Sequence, residues 1–409
     1  MVVAYVTSRF PEVTETWIVR ELDALTTASD LECEVWSLFP PQSKTVHPAA
    51  QRWLGRHRRP GPAAGLVSVL WWLRRSPLRF LSAVAMVVGG YFRRPPMLAR
   101  ALATIPIAAA HARSLSAGGV DHVHAHYASY PLLTAWLCRR LTGVSYSFTA
   151  HAYDIFVDQS FLRTRLAEAD FAVAISDFNR GYLGAYGGDD ATPVYVVRMG
   201  IDLSAYKFRV RAREDGRELR ALCVARLYEE KGHRVLLQAM ALKAPALEGL
   251  SLDLVGEGPL REELEHLVDS LGLSDRVRFH GELPEPRVTE LLDEADLFVL
   301  PSVVKWDGTM EGLPVVLVEA LACGVPVVAT HMSGVPELIH DGETGMLARP
   351  GDLSDLAEAI ARSLADPEAA RNCAEAGRAL VERNHDVRQS AAALGRLFHG
   401  DPPWPERRE

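Results

Sequence analysis

The sequence predicts an α/β protein of two doubly wound domains. Short apolar segments of strand length alternate with amphipathic segments of helix length in both halves of the chain, a pattern typical of parallel sheets covered by helices. The 409 residues, 48% of them hydrophobic, can form more than one core, because a single domain usually has about 100 to 200 residues. Ligands of such sheets bind beyond the carboxyl ends of the strands, so a functional site is expected in the segments that follow the predicted strands.

One such segment follows the sequence DLFVLPS, residues 296–302, which is typical of a buried strand. Gly312 and Pro314 then mark the start of a helix, since Pro fits the first turn, where its missing N–H is not needed. The helix is expected to end near Cys323. Its first-turn amides and the positive end of its dipole would face the space beyond the strand, where a diphosphate could bind.

Two carboxylates flank this helix start in the sequence EGLPVVLVE, Glu311 before it and Glu319 two turns inside it. If the whole stretch were helical, eight residues at about 1.5 Å each would separate the carboxylates by roughly 12 Å along the axis. That distance is near the reach from a ribose to a hexose across a diphosphate. The alternative is one Glu that complements the helix dipole and a second that is simply exposed.

Two cations are expected at the carboxyl end of an earlier strand. The segment ELRALCVARLYEEKGHRVLLQAM passes from a strand at Leu219–Ala225, through a loop with Arg226 and Lys231, into an amphipathic helix. Cations in that position suit a diphosphate and would offset charge on a leaving group. The alternative is a solvated loop, which Glu229 and Glu230 between the cations favour.

A Gly-x-Gly turn follows the next predicted strand, with Gly256 and Gly258 in LDLVGEGPLREEL. By itself this pattern more often marks a plain turn than a ligand site. Its value here comes from order: a cationic loop, a glycine turn, space for a base near Glu282 and Leu283, and then the helix with two carboxylates.

These motifs together resemble family 4 of the retaining glycosyltransferases. The matching stretches cover nearly all of residues 219–350 and are VARLYEEKGH, LVGEGPLREEL, RVRFHGELP, ADLFVLPS, EGLPVVLVEALACGVPVVAT and SGVPELIHDGETGML. In the amino-terminal half, FPEVTETWIVREL, HVHAHYAS, SFTAHAYDIF, ISDFNRGYL and VVRMGIDL resemble a bacterial branch that builds exopolysaccharide and colanic-acid-like glycans. The resemblance implies the GT-B fold, with two facing Rossmann-like domains and an interdomain cleft.

The resemblance also implies roles for individual residues. Catalytic roles are expected for His151, Glu311, Arg226 and Lys231. Donor-binding roles are expected for Arg226, Lys231, Gly256, Gly258, Leu283, Glu311, Gly312, Leu313, Val315 and Glu319, with the cations on the diphosphate, Glu319 on the ribose and Glu311 on the sugar. For His151, at the end of a predicted strand, the alternative is an ordinary buried histidine.

The first loop departs from the family pattern. Many relatives have two glycines after the first strand, whereas this chain has Ser8, Arg9, Phe10 and Pro11. We therefore expect Arg9, Glu15 and Thr16 on the acceptor or phosphate side. His126, from the strand HVHAHY, is also expected on the acceptor side. An ordinary capped helix start is the alternative for the Glu15–Thr16 pair.

No metal is expected. His122, His124 and His126 would share one face of a strand, which invites a metal interpretation. Structural zinc requires four convergent ligands, however, and no cysteine lies nearby. The resemblance implies no cofactor other than the nucleotide-diphosphate sugar itself, as co-substrate.

The segment between residues 35 and 120 is strongly basic. It contains no Asp or Glu but Lys44 and eleven Arg, so it carries +12 while the rest of the chain carries −20. Within it, Gly61–Leu73 and Phe80–Phe92 are apolar runs of thirteen, too short to span a bilayer, which needs about 20 residues. We hypothesise that residues 61–113 contact anionic membrane peripherally. The alternative is an ordinary helical insertion; nucleic acid is not expected, since the whole chain is acidic.

The predicted domains are residues 1–200, for the acceptor, with the insertion 61–113, and residues 201–385, for the nucleotide sugar. The segment RVRAREDGRE is expected to link them, and residues 386–409 to form a crossover helix and tail. The amino terminus lacks a basic leader and a long apolar core, and the five cysteines are scattered without a CxxC pair. These features predict a cytoplasmic protein, peripheral at most on the inner face of the membrane.

The expected reaction moves a hexose from a UDP- or GDP-sugar to a hydroxyl of a glycan or lipid-linked acceptor, with retained configuration, in cell-surface or exopolysaccharide biosynthesis. No carboxylate is evident as a nucleophile, unlike the pair in retaining hydrolases. The family's favoured account is a front-face substitution in which the leaving diphosphate takes the acceptor proton. The alternatives are a non-catalytic nucleotide-sugar-binding protein and a GT-B phosphorylase or epimerase.

Overall fold

A computed structural model describes residues 1–12, 15–42, 46, 48–187, 192–209, 218–242, 244 and 247–404. Most of the predicted linker, residues 210–217, lies outside the described residues. The chain divides into two compact units, Met1–Gly200 with Val387–Glu409, and Ile201–Asp386.

Strands and helices alternate along most of the chain. The strands are β1 Val2–Arg9, β2 Glu32–Phe39, β3 His57–Arg58, β4 His122–His126, β5 Ser145–Ala150, β6 Phe171–Ala174, β7 Val194–Val196, β8 Arg220–Val224, β9 Ser251–Val255, β10 Val277–Gly281, β11 Leu297–Leu300, β12 Val327–Thr330 and β13 Met346–Ala348. The helices are α1 Thr16–Ala28, α2 Pro48–Gln51, α3 Pro62–Arg75, α4 Pro77–Tyr91, α5 Pro95–Leu115, α6 Tyr130–Thr142, α7 Tyr153–Phe156, α8 Leu162–Ala167, α9 Asp177–Gly184, α10 His233–Met240, α11 Arg261–Ser270, α12 Glu285–Glu294, α13 Val315–Cys323, α14 Leu353–Ala365, α15 Pro367–Asn384 and α16 Val387–Phe398.

The first unit is built on a sheet with the order β3-β2-β1-β4-β5-β6-β7. Every neighbouring pair is parallel, with Tyr5 of β1 opposite His124 of β4. Helices cover a parallel sheet on both faces, which explains the near-continuous apolar sequence of β1. The strand order reverses between β1 and β4, and this switch point is where such sheets bind ligands.

The second unit repeats this arrangement with the order β10-β9-β8-β11-β12-β13, again parallel throughout. Its switch point lies between β8 and β11, whose pairing places Leu297 opposite Ala221. The predicted α/β class with two Rossmann-like sheets is therefore confirmed.

The last helix, α16, belongs to the core of the first unit. Leu394 and Phe398 of α16 are buried in one cluster with Leu22 and Leu25 of α1. A Cβ at Gly395 would lie 3.4 Å from the Leu25 side chain, an ordinary packing distance. The contact closes the first unit with residues from the far end of the chain.

The basic segment folds as three helices of the first unit, α3, α4 and α5. Helix α3 crosses α5 closely, because Gly65 leaves room for Pro106, which would lie 2.9 Å from a Cβ at that position. The Trp72 indole donates to the Ala109 carbonyl at 3.0 Å, and α4 buries Phe80 and Tyr91. In the described part of the chain, no helix combines the length and apolarity that a membrane crossing requires.

Truncation of a buried α16 side chain should destabilise the first unit. We expect Leu394→Ala to cost about 2 to 5 kcal/mol, since it removes apolar contacts and leaves a cavity against α1. Thermal unfolding would measure the loss. Ala392→Ser, at an exposed position of the same helix, is the matched control; equal melting temperatures for both variants would contradict the packing described here.

Candidate functional site

The switch point of the second unit brings together two predicted residues that are far apart in sequence. Lys231 lies in the loop after β8 and Glu311 in the segment after β11, and Lys231 Nζ is 2.8 Å from Glu311 Oε1. Their side chains are only 13% and 20% exposed. This partly buried pair is stronger than a fully exposed one, because less water screens it.

The loop that carries Lys231 packs against the segment that follows β11. Gly232 has φ +71°, and a Cβ there would lie 1.9 Å from the Pro301 carbonyl oxygen, so only glycine fits. The Val303 amide donates to the Glu230 carbonyl at 2.9 Å. Glu229 is exposed but Glu230 is buried. The loop is therefore not fully solvated, as the alternative interpretation of these two carboxylates required.

The backbone of Glu311 and Gly312 is held by Ser333, in the loop after β12. The Ser333 hydroxyl donates to the Glu311 carbonyl at 2.5 Å and also contacts the Gly312 carbonyl, to which the Gly334 amide donates at 3.2 Å. Sequence reasoning missed this role of Ser333. The only available signal was its place after a strand, in the motif SGVPELIH.

The helix start is one or two residues later than the spacing argument assumed. Pro314 precedes α13 with extended geometry, and the helix runs from Val315 to the predicted end at Cys323. Glu319 is therefore little more than one turn inside the helix, not two, and Glu311 lies outside it. The 12 Å estimate, which needed helix throughout, therefore does not apply to this segment.

Glu319 is oriented by a residue that the sequence argument did not identify. The Tyr206 hydroxyl donates to Glu319 Oε1 at 2.8 Å. Tyr206 is buried and lies 113 positions away, in the segment GIDLSAYKF. No local pattern marks such a pair.

Gly256 and Gly258 have a packing role against the loop that carries Arg226. A Cβ at Gly256 would lie 2.1 Å from the Ala225 carbonyl oxygen, and one at Gly258 would lie 2.4 Å from the Leu227 carbonyl oxygen. Close approach of two backbones thus requires both glycines. A contact of either with a donor stays a prediction.

Arg226 and Leu283 lie at the margins of this region. Arg226 is exposed, with its guanidinium 4.9 Å from the centre of the Tyr228 ring. Leu283 is half-buried just after β10, whose last residue, Gly281, accepts from the Gly256 amide at 2.8 Å. The loops after β8, β9 and β10 are therefore adjacent, in the order that the motifs predicted.

In the first unit, His151 lies in a buried polar network beyond the carboxyl end of β5. Its Nε2 is 3.3 Å from His126 Nδ1, and His126 Nε2 is 3.0 Å from Glu21 Oε1. A carboxylate only accepts, so His126 donates from Nε2. If the other nitrogen of His126 carries no proton, Nδ1 accepts from His151 Nε2, and His151 Nδ1 is then an acceptor.

His151 is uncharged in this environment. Burial, and secondarily the neighbouring His126, hold the pKa of His151 well below its ordinary value. The Trp17 ring covers it at 4.5 Å between ring centroids. His151 can therefore exchange hydrogen bonds with a substrate at neutral pH but cannot supply a positive charge.

Asp154 fixes the loop that carries His151. Its carboxylate accepts from the amides of Ala128 at 2.6 Å, Ala152 at 2.8 Å and His151 at 3.1 Å. Burial raises the pKa of Asp154, whereas these amide donors favour its charged form. The spacing HAYD, with Asp three residues after His151, is the signal that sequence reasoning passed over.

The predicted acceptor-side residues divide into two groups. Glu15 accepts from the Tyr127 hydroxyl at 3.0 Å, and the Tyr127 ring lies 4.8 Å from that of His151, so Glu15 joins the histidine network. Thr16 is the first residue of α1, and Glu15 makes no side-chain cap to that helix. Arg9 instead donates to the carbonyl of Pro40, at the end of β2.

The other histidines of β4 have structural partners. The ring nitrogens of His122 lie 2.8 and 2.6 Å from the hydroxyls of Ser145 and Ser147, and those of His124 lie 2.8 and 2.9 Å from Ser147 and Thr149. This ladder accounts for their alternation along the strand. Among the described residues, no three His, Cys, Asp or Glu side chains are arranged to hold a metal ion.

Family models match both units. Residues 63–205 match the model described as Glycosyltransferase Family 4, and residues 206–380 match the model described as Glycosyl transferases group 1. The chain is also 30% identical to N-acetyl-alpha-D-glucosaminyl L-malate synthase of Bacillus anthracis, over 64% of this chain and 70% of that protein. The chain therefore belongs to the glycosyltransferase family that these two models describe.

Particular relatives are more similar over shorter regions. The amylovoran biosynthesis glycosyltransferase AmsK of Erwinia amylovora is 39% identical over 43% of each chain. The GDP-mannose-dependent alpha-(1-6)-phosphatidylinositol monomannoside mannosyltransferase of Mycolicibacterium smegmatis is 31% identical over 60% of this chain and 66% of that protein. The chain matches slightly less than half the length of AmsK and of the colanic acid biosynthesis relatives named WcaL.

Solved structures show the same fold. A sucrose-phosphate synthase from Thermosynechococcus elongatus has a TM-score of 0.73 and 22% identity, with 98% of each chain covered. Anabaena Alr3699/HepE, solved in complex with UDP-glucose, has a TM-score of 0.71 and 18% identity, covering 98% of this chain and all of that one. These similarities confirm the GT-B fold class.

Acidification should destabilise the protein before its carboxylates titrate. Burial lowers the pKa of His111 to about 4, of His122 to about 3 and of His233 to about 4. In the unfolded chain these histidines have a pKa of about 6.5, so below that pH the unfolded chain binds protons that the native chain does not. The free energy of unfolding should therefore fall by about 1 kcal/mol per histidine by pH 5.5. The melting temperature should therefore be lower at pH 5.5 than at pH 7.5; an equal or higher value would contradict these pKa shifts.

Proposed function

We propose that this protein transfers a hexose from a nucleotide-diphosphate sugar to a hydroxyl of a glycan or lipid-linked acceptor, with retained anomeric configuration. The observation that carries the proposal is the partly buried Lys231–Glu311 pair beside the start of α13, at the switch point of the second unit. Such a site provides a cation, helix-terminal amides and a carboxylate within one loop cluster. Those groups match a diphosphate and the hydroxyls of a sugar.

Donor binding would rearrange the charges of this pair. The diphosphate would draw Lys231 toward itself, with Arg226 as the second cation, and Glu311 would then accept from hydroxyls of the sugar. Amides of Gly312, Leu313 and Val315 would contact the sugar and phosphate. Glu319, held by Tyr206, would accept from the ribose hydroxyls.

The comparisons support a sugar nucleotide as donor but favour no single base. Alr3699/HepE was solved with UDP-glucose, whereas the mycobacterial relative is named for GDP-mannose. AmsK and the WcaL proteins are named for the biosynthesis of amylovoran and colanic acid, which supports an exopolysaccharide as the product here. The mycobacterial relative is named for phosphatidylinositol monomannoside, a lipid, which supports a lipid-linked acceptor as the other possibility.

For the chemical step we propose a front-face substitution. The leaving diphosphate takes the proton of the acceptor hydroxyl, while Lys231, Arg226 and the amides of α13 stabilise the charge that develops on it. His151 contacts the substrate as a neutral hydrogen-bonding group through Nδ1. No metal takes part.

A thermal-shift panel tests donor binding without knowledge of the acceptor. UDP, GDP, UDP-glucose, UDP-N-acetylglucosamine and GDP-mannose would each be titrated with Mg²⁺ and with a chelator. A donor at a hundred times its Kd should stabilise the folded protein by about 2.7 kcal/mol, equally with and without metal. If no nucleotide raised the melting temperature, donor binding would be refuted.

Variants of the donor site should separate binding from turnover. We expect Lys231→Ala to lower kcat by about 10² to 10³, because it removes stabilisation of the leaving group. Glu319→Ala should instead raise the donor KM about tenfold, as loss of a hydroxyl contact would. Glu262→Ala, which removes an exposed carboxylate on α11, is the control, and steady-state kinetics with the best donor of the panel is the measurement. Wild-type kinetics in both site variants would remove the assignment.

His151 is tested in the same assay. His151→Ala should lower kcat by about 10² or more, since a positioned hydrogen-bonding group is lost from the reacting centre. His399→Ala, at an exposed position after α16, should leave turnover unchanged.

Nuclear magnetic resonance of the product would report its anomeric configuration, and an inverted product would contradict the front-face substitution.

A further inference from the structure

The helices α3 and α4 of the first unit leave an unusual apolar surface exposed. Eight of the sixteen large hydrophobic side chains that the described residues expose lie between Leu66 and Leu102. They are Leu66, Val67, Leu70, Leu78, Leu81, Val88, Phe92 and Leu102. Half of the exposed apolar side chains thus lie within one short part of the chain, whereas a monomer usually scatters them singly.

Helix α4 is apolar on both of its faces. Its inner face buries Phe80, Ala83, Val87 and Tyr91. Its outer face carries Leu78, Leu81, Ala85 and Val88, spaced three, four and three residues apart, so they form one row along the helix. A helix that packs its inner face on a protein and leaves its outer face in water normally has polar residues outside.

Arginines flank this row at both of its ends. Arg74 and Arg75 end α3, Arg79 lies in the first turn of α4, and Arg93 and Arg94 follow its last residue. All are exposed, and none forms an ion pair with a described residue. A helix dipole favours carboxylates in the first turn, not Arg79, so the dipole does not account for that charge.

We propose that this surface, the outer faces of α3 and α4 with their flanking arginines, docks on an anionic lipid bilayer. Fifteen residues of α4 extend about 22 Å, so the helix can lie along the interface with its apolar row in the acyl boundary and both arginine clusters among the headgroups. Leu78 lies between Arg75 and Arg79. At 83% exposed, it is the most exposed large hydrophobic residue of the surface.

The charges favour a bilayer over a second copy of the chain. In a symmetric dimer this surface would meet itself, and unpaired arginines would face arginines. Residues 35–120 contain no carboxylate that could compensate. Phospholipid headgroups supply the missing negative charge, and the acyl region covers the leucines.

Docking has a consequence that rests on the proposed function. Tyr91 and Met97, from α4 and α5, line one pocket together with Tyr153 and Asp154, from the start of α7 just after His151. The inner face of α4, whose outer face belongs to the docking surface, thus lies next to the loop that carries His151 within the first unit. A lipid-linked acceptor would reach that loop without leaving the membrane.

Vesicle sedimentation tests docking without any need for turnover. The full chain would be mixed with vesicles of phosphatidylcholine alone, or of equal parts phosphatidylcholine and phosphatidylglycerol. We expect binding only to the anionic vesicles, weaker at high salt. Since each arginine at such a surface contributes about fivefold, the triple variant of Arg74, Arg75 and Arg79 to Gln should bind about a hundredfold more weakly.

Two further variants separate charge from apolar contact. Changing Leu66, Leu70, Leu78 and Leu81 to Ser should abolish binding at equal net charge, with an unchanged melting temperature because these side chains are exposed. Changing Arg287, Arg371 and Arg383 to Gln removes the same charge from exposed positions of the second unit and should leave binding intact.

Docking would be overturned by equal recovery with both kinds of vesicle or by no recovery with either. It would also be overturned by a dimer in light scattering that the Leu-to-Ser variant dissociates, because the surface would then bind a second copy. Nucleotide binding in the thermal-shift panel is measured independently. Failure of docking would therefore leave donor binding untouched, and failure of donor binding would leave docking untouched.

Discussion

The contact between Lys231 and Glu311 depends on the parallel sheet of the second unit. In such a sheet all strands deliver their following loops to the same edge, and the order reversal between β8 and β11 opens a space there. Gly232 lets one loop approach Pro301, and Ser333 holds the backbone of the other. The cation, at the end of a single 3-10 turn, and the carboxylate, ahead of α13, therefore meet at this edge.

The first unit buries several histidines, and each of their rings has a polar partner. Each ring of β4 finds a hydroxyl, a carboxylate or another imidazole, and Asp154 satisfies the amides of the loop beyond. Buried polar groups cost stability unless they are paired, so this network is either complete or a liability. It holds His151 in one place, and burial lowers the pKa of the ring so that it stays uncharged.

The α3–α4 surface differs from both sites in that its arginines form no ion pair within the described chain. Its helices pack firmly on the inside, through Gly65 against Pro106 and Trp72 against α5. Their outer apolar row and arginines gain nothing from folding, since neither is removed from water. Residues of this kind are explained by a binding partner and not by the stability of the fold.

The sequence predicted the fold class, the alternation of elements, the loops that hold Arg226, Lys231 and Glu311, and the helix that carries Glu319, because periodicity and glycine or proline signals are local. It also determined the basic segment and its apolar runs, which are properties of composition. Which of these residues come into contact is a property of the tertiary fold. The pairing of Tyr206 with Glu319, the grip of Ser333 on Glu311, the chain from Glu21 through His126 to His151 and the start of α13 at Val315 all depend on contacts between distant segments, and no short-range pattern encodes such contacts.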